Sequence, residues 1–440
     1  MLQYEARPAR RVSGVMQVPG DKSISHRALM LSGIAEGMSE VRGFLASEDC
    51  LASLAAMRCL GVGIERLSPT HVLVRGAGLR GLTAARQPLD MGNAGTAMRL
   101  FAGLLAAQEF DSRLIGDASL MKRPMERVAK PLREMGADVR TQEGRPPVDI
   151  HGGRALQGIE YRLPVASAQV KSAILLAGLY ADGPTTVISP ALSRDHSERM
   201  LSGCGVRVEV EDLRIRLHPP QALKSLDLTV PGDFSSAAFF IVAGLLGADG
   251  ELWIRNVGMN PSRTGLLDIL RAMGADIEVS NQRESGAEPV ADLRVRASEL
   301  RGIEVPEALV PLAIDEIPVL CIAAACAQGE TVIRGAAELR VKESDRISTM
   351  SAGLKALGVS TAELPDGLRI QGRAGVAFSE GSIDSAGDHR IAMSFSIASL
   401  RARGPILVRD VANVATSFPG FLEAAASAGL DLRLSEASCP

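Results

Sequence analysis

In the stretch GDKSISHRAL (Gly20–Leu29), Lys22, His26 and Arg27 crowd the start of a segment that continues as the apolar run MLSGIA. A solvated helix spreads charge along one face, with opposite-sign partners four residues on. Cations in a first turn are instead disfavoured by the helix dipole. Free N–H groups, a Lys, an Arg and the Ser23 and Ser25 hydroxyls together suit a phosphate. The stretch alone equally allows an N-cap serine followed by two cations that bind nothing.

Five further polar clusters open small-residue apolar segments in the same way. GNAGTAMRLF offers Asn93, Gly95, Thr96 and Arg99, and its two glycines let backbone N–H groups approach a ligand. ASAQVKSAILLAG offers Ser167, Gln169 and Lys171. In PGDFSSAAFFIVAG, Asp233, Ser235 and Ser236 are adequately explained as N-caps. IDEIPVLCIAAA places Asp315 and Glu316, and GDHRIAMSFSIA places Asp388, His389 and Arg390, ahead of apolar helices. Two charged stretches lie between the clusters. GDASLMKRPMERV carries Lys122 and Arg123 before Pro124, a residue suited to a first helical turn. ELRVKESDRIS carries Lys342, Glu343 and Arg346, with Lys342 and Arg346 expected on one helix face. Such a run reads as a solvated face, or as a cation pair with an anion or carboxylate opposite.

Other chemistries lack their context. RGAGLRG contains GxGxxG after the strand-like HVLVR, but it leads into LTAARQPLD rather than a helix. No GxxxxGK[ST] occurs, and no His, Cys or Asp cluster has metal spacing. What is left is a set of anion-binding cations with one or two carboxylates. That set fits acid–base chemistry on phosphorylated, carboxylated substrates.

The elements that must position these residues form a repeat. A helix ending in Gly and leading into a β-like run recurs as MRCLGVGIE, LREMGADVR, LSGCGVRVEV, LRAMGADIEV, LKALGVST and AASAGLDLRL. The turn glycines Gly61, Gly136, Gly205, Gly274, Gly358 and Gly429 are spaced by roughly 70–85 residues. The polar clusters run in step with them, so each unit pairs one buried helix with one amphipathic helix. Six α/β units in 440 residues imply two lobes of three, with a border near Leu228–Asp233. A net charge of −3 and 3% aromatic residues exclude nucleic-acid and polybasic-membrane partners. The best apolar stretch, AAFFIVAGLLGA, is about a dozen residues, too short to span a bilayer. The N-terminal stretch has no apolar signal core, and the six scattered cysteines, Cys439 included, form no CxxC pair. A reduced, cytoplasmic protein is expected.

At these same stretches the chain resembles the 5-enolpyruvylshikimate-3-phosphate synthase family. GDKSISHRA, GNAGTAMRL, MKRPM, SAQVKSAILLAGL, DEIP, LRVKESDRI and GDHRIAMS occur in that family's order. GDASLMKRPM, SAQVKSA, SRDHSERML and VATSFP are similar to its class II branch. The resemblance implies an α/β, two-lobed enolpyruvyl transferase fold of six βαβαββ units that close over the substrates. Residues 21–231 would form one lobe, and 1–20 plus 232–440 the other, with the first strand returning to the C-terminal lobe. It implies transfer of the enolpyruvyl group of phosphoenolpyruvate to the 5-hydroxyl of shikimate 3-phosphate, with release of phosphate. It implies neither metal nor cofactor, and a monomer is expected.

Carried over by resemblance, Lys22, Ser23, Arg27, Ser167, Ala168, Gln169, Arg194, Asp315 and Lys342 would hold shikimate 3-phosphate. Lys22, Gly95, Arg123, Gln169, Arg346 and Arg390 would hold phosphoenolpyruvate. Asp315 is the expected base, Glu343 and Lys22 would move the methylene proton, and His389 would assist. Glyphosate would share the phosphoenolpyruvate site; class II relatives often carry Ala where Gly95 stands, so open space is expected there. Thr416 replaces a Lys common in class I, so that lysine's phosphate contact has no counterpart. The related UDP-N-acetylglucosamine enolpyruvyl transferases use a loop cysteine, and none lies near MKRPM. A non-catalytic anion-binding relative would have no use for Asp315 and Glu343.

Overall fold

The computed structural model describes residues 1–375 and 377–436. It divides into two compact units. The amino-side unit comprises Gly20–Val230 and the short segment Glu284–Glu288. The carboxy-side unit comprises Met1–Pro19, Pro231–Arg283 and the chain from Pro289 onward. Each encloses its own apolar core.

Three four-stranded sheets build the amino-side unit on one pattern: a parallel edge strand, then a strand that continues antiparallel into a hairpin. In the first, Asp227–Thr229 runs parallel to Met38–Arg42, which pairs antiparallel with His71–Arg75, itself paired with Gly63–Ser68. Leu89–Asp90, Ser112–Ile115, Arg145–His151 and Asp138–Gln142 repeat this order. Glu160–Arg162, Thr185–Ile188, Arg214–Leu217 and Val208–Glu211 repeat it again.

In the carboxy-side unit the N-terminal residues supply two missing strands. Gly14–Gln17 is the parallel edge beside Glu251–Gly258, and Leu2–Arg7 sits between Ile406–Arg409 and Asp431–Glu436. The remaining sheet has three strands, and parallel bridges at Arg301 and Glu304 stand where a fourth would lie.

Each repeat contributes two helices. All six turn glycines adopt positive φ, from +83° at Gly358 to +101° at Gly136, closing the amphipathic helices in the left-handed conformation that glycine tolerates best. The other six helices are the central ones: Lys22–Ile34, Gly95–Leu105, Ala168–Gly178, Phe234–Leu246, Ile317–Cys326 and His389–Ala398. Every residue of the last three is buried. Small residues permit this density. A Cβ on Gly103 would lie 2.2 Å from the Ala173 carbonyl oxygen, so glycine there lets Gly95–Leu105 approach Ala168–Gly178. Burial pushes the Cys321 and Cys326 thiols up to about 12, as befits core sulfurs. Cys439 lies outside the described residues. Among the described residues, no helix is long and apolar enough to cross a membrane.

Candidate active site

The first mouth is capped by an aspartate, not a serine: the Asp21 carboxylate accepts from Ile24 N at 2.9 Å. Lys22 then pairs with Asp49 at 2.9 Å, and Ser23 offers its carbonyl to Arg27. Arg27 is buried among neutral oxygens. Its Nε donates to Ser197 Oγ at 2.7 Å, Nη2 to Ser172 Oγ at 2.8 Å and Nη1 to Ser23 O at 2.8 Å. Burial lowers its pKa to about 10, with Glu198 and Asp21 opposing and Arg194 adding to the fall. His26, between the two cations, is pushed down to about 3 by burial and by Lys22 and Arg27. Its Nδ1 lies 2.7 Å from Ser53 Oγ.

The second and third mouths interlock. Arg99 Nη1 donates to Gln169 Oε1 at 2.8 Å, and Gln169 Nε2 donates to Thr96 Oγ1 at 2.8 Å. Ser167 caps the third helix, whose first residue is Ala168. The second helix opens at Gly95 behind Ala94, which has no side-chain acceptor to satisfy its first N–H groups. Arg123 donates to Asn93 Oδ1 at 2.6 Å. A Cβ on Gly95 would lie 3.0 Å from Arg123 Nη1 and 3.1 Å from Arg99 Nη1. The space expected to be open is therefore bounded by two guanidinium ends. Pro124 falls just outside the helix Glu126–Glu134, and its carbonyl accepts from Arg99 at 3.2 Å. Arg194 is half-buried, ahead of the helix His196–Gly203.

The carboxy-side unit gathers its charges around Asp315. Arg346 Nη1 lies 3.3 Å from the carboxylate, Lys342 Nζ 3.7 Å and Arg390 Nη2 3.9 Å. Arg390 Nη1 also donates to the Asp315 carbonyl at 3.0 Å. Arg346 is 1% exposed and reaches Asp388 at 2.8 Å and Glu343 at 2.7 Å. Burial alone would depress its pKa, but Asp388, Glu343 and Asp315 together hold it above the ordinary arginine value. Burial lowers the Lys342 ammonium, against the pull of Asp315 and Glu338. Asp388 caps the helix that His389 opens, and its carboxylate accepts from Arg390 N at 2.9 Å. Lys342 and Arg346 do not share a helix face. The helix Arg346–Ala356 begins only at Arg346, because Asp345 caps it by accepting from Ser348 N at 3.1 Å. Thr416 is buried, and its hydroxyl donates to Asn413 O at 2.7 Å.

Nine candidates thus stand in the amino-side unit, from Lys22 to Arg194, and six in the carboxy-side unit, from Asp315 to Arg390. Direct contacts join Asp315, Lys342, Arg346, Arg390 and Glu343. Lys22 and Arg27 hold separate partners. The supporting residues Asp49, Ser172, Ser197 and Glu198, the last paired with the buried Lys171 at 2.5 Å, escaped the sequence reading. The stretch SRDHSERML held the only hint of Ser197 and Glu198. Cations beside a helix N-terminus without a side-chain cap, as at Gly95, suit an anion, and a carboxylate ringed by cations suits acid–base chemistry.

The chain matches the family model described as EPSP synthase (3-phosphoshikimate 1-carboxyvinyltransferase) over residues 6–424. It is 56% identical over 433 residues to a 3-phosphoshikimate 1-carboxyvinyltransferase of Methylococcus capsulatus, covering 98% of both chains. The solved EPSP synthase of Acinetobacter baumannii is 51% identical, with a TM-score of 0.90 over 99% of this chain and 100% of that one. The enolpyruvyl transferase NikO of Streptomyces tendae, at 19% identity and a TM-score of 0.78 over 99% of each chain, shares the fold. With a match running from the first strand to the last helix, through every helix mouth just described, the chain belongs to the EPSP synthase family.

Proposed function

We propose that this protein transfers the enolpyruvyl group of phosphoenolpyruvate to the 5-hydroxyl of shikimate 3-phosphate and releases inorganic phosphate. The carrying observation is the Asp315 carboxylate, placed at a helix mouth among Lys342, Arg346 and Arg390. Asp315 takes the 5-hydroxyl proton as that oxygen attacks C2 of phosphoenolpyruvate. Glu343 or Lys22 protonates the C3 methylene, with His389 assisting. Loss of phosphate from C2 and of a proton from the new methyl group then restores the enol ether.

Lys22, Ser23, Arg27, Ser167, Ala168, Gln169 and Arg194 hold shikimate 3-phosphate, with Lys342 and Asp315. Lys22, Gly95, Arg123, Gln169, Arg346 and Arg390 hold phosphoenolpyruvate. The substrates' own charges balance the cations, which lets binding and chemistry use one electrostatic field. Glyphosate would compete at the phosphoenolpyruvate subsite. The protein acts as a cytoplasmic monomer with neither nucleic acid nor membrane as partner. Phosphate release in metal-free buffer tests the reading. Release that requires both substrates together is expected, and no release with both present overturns it.

A further inference from the structure

The fourth helix mouth, read from sequence as a set of N-caps, is wired into the Asp315 cluster. Arg263, in the turn before the helix Gly265–Ala272, is 4% exposed and points two ways. Its Nη2 lies 3.0 Å from Asp233 Oδ1 and donates to Ser235 Oγ at 2.6 Å. The Ser235 hydroxyl in turn donates to Glu316 Oε1. That same Glu316 oxygen lies 3.9 Å from Arg390 Nη1, the nitrogen that also donates to the Asp315 carbonyl. Asp233, Arg263, Ser235, Glu316 and Arg390 are all buried.

The order of charges is minus, plus, hydroxyl, minus, plus, so each buried ion faces an opposite one. The hydroxyl gives the chain a direction. Ser235 has one proton, and because Arg263 occupies an oxygen lone pair, that proton is turned towards Glu316. N-capping needs only Asp233, whose carboxylate accepts from Ser235 N at 3.0 Å. Neither Arg263 nor Glu316 is required for that cap.

We infer that Arg263 and Glu316 are positioning residues: through Ser235 they fix the guanidinium plane of Arg390 for phosphoenolpyruvate. This rests on the reading of Arg390 as a phosphoenolpyruvate ligand. An arginine must present its planar fork squarely to a carboxylate or phosphate, so a small rotation weakens both bonds at once. The relay holds that rotation without touching substrate.

The test measures KM for each substrate and kcat by phosphate release, with thermal melting as a check on folding. Arg263→Lys and Glu316→Gln are each expected to raise the phosphoenolpyruvate KM about 5- to 50-fold while the shikimate 3-phosphate KM stays within about twofold. On an Arg390→Lys background, adding Arg263→Lys should change the phosphoenolpyruvate KM by less than about twofold, because the two act through one group. Ser235→Ala removes a single oxygen and keeps the test open if a charge variant fails to fold. It should raise the same KM about two- to fivefold. A parallel rise in both KM values, or full additivity with Arg390→Lys, overturns the relay. Arg390→Lys separates the two readings. If it raises the phosphoenolpyruvate KM and the Arg263, Glu316 and Ser235 variants do not, the relay alone falls. If it leaves that KM unchanged, the assignment of Arg390 falls and the relay with it.

Discussion

Arg27 and Arg346 are both buried arginines at helix mouths, yet they are held in opposite ways. Arg27 is surrounded by two hydroxyls and a carbonyl, and its pKa falls to about 10. Arg346 is gripped by Asp388, Glu343 and Asp315, and its pKa rises. A desolvated cation whose direct hydrogen-bond partners are neutral oxygens, with Glu198 and Asp21 acting on it only through their field, gains from an incoming phosphate. A cation among carboxylates is a strut: it fixes where those carboxylates stand and tolerates no removal. Under the proposed function, Arg27 serves chiefly to meet an anion, whereas Arg346 both meets phosphoenolpyruvate and holds its three carboxylates in place.

The strongest way to break this contrast is Arg346→Met. Three carboxylates would lose their shared partner, and removing one side of a buried ion pair costs about 3–5 kcal/mol. Denaturant unfolding should show that loss together with abolished turnover. A variant of wild-type stability would mean that Arg346 is not a strut. Asp315→Asn keeps the shape and removes the proposed base, so kcat should fall by roughly 10²–10⁴ while shikimate 3-phosphate binding, followed by calorimetry, stays measurable.

Arg27→Met should do the reverse of Arg346→Met. Ser172 and Ser197 already lie 2.7 Å apart and remain paired, so unfolding should change little. Shikimate 3-phosphate affinity should drop about 10- to 150-fold, the worth of a charge-assisted contact. A destabilised Arg27→Met with intact affinity would invert the comparison.

His26 reports the burial of the first mouth, with Lys22 and Arg27 adding to the effect. Unfolded, it binds a proton near pH 6.5; folded, it resists one down to about pH 3. In that window the unfolded chain holds more protons, so this group's contribution to stability is intact above pH 6.5 and is lost as pH falls towards 3. The slope is at most about 1.4 kcal/mol per pH unit. His26→Gln should flatten the stability curve by that slope, and parallel curves would show that His26 is not held neutral. The smallest effect on substrate binding is expected at Gly95→Ala. The added methyl would press on the ends of Arg123 and Arg99, flexible groups that can give way. The phosphoenolpyruvate KM should rise about two- to tenfold, and glyphosate potency should fall by about one to two powers of ten. Equal inhibition curves would show that the pocket is set elsewhere.

Much of the fold was readable because its signals are local. Each turn glycine sits next to the helix it ends, and all six take the positive φ that their context demanded. Each polar cluster precedes its own apolar run, so the six central helices and their mouths were visible without any tertiary information. The side-chain partners at those mouths were not. Asp49 is 27 residues from Lys22, Ser172 is 145 from Arg27, and Glu316 is 81 from Ser235. Only packing sets such distances.

The polar clusters and turn glycines marked where helices start and stop, except where a cap intervened. Asp345 stops the helix short of Lys342, and Asp21 rather than a serine starts the first one. Side-chain capping competes with helix propensity at single residues, which periodicity does not resolve. The sequence by itself therefore determined the repeat, the polar mouths and the kinds of charge they carry, since these depend on neighbours along the chain. Only the tertiary structure decided which charge balances which. It left Arg27 on neutral oxygens and Arg346 among carboxylates, because electrostatic partnership follows distance and burial in space rather than order in the chain.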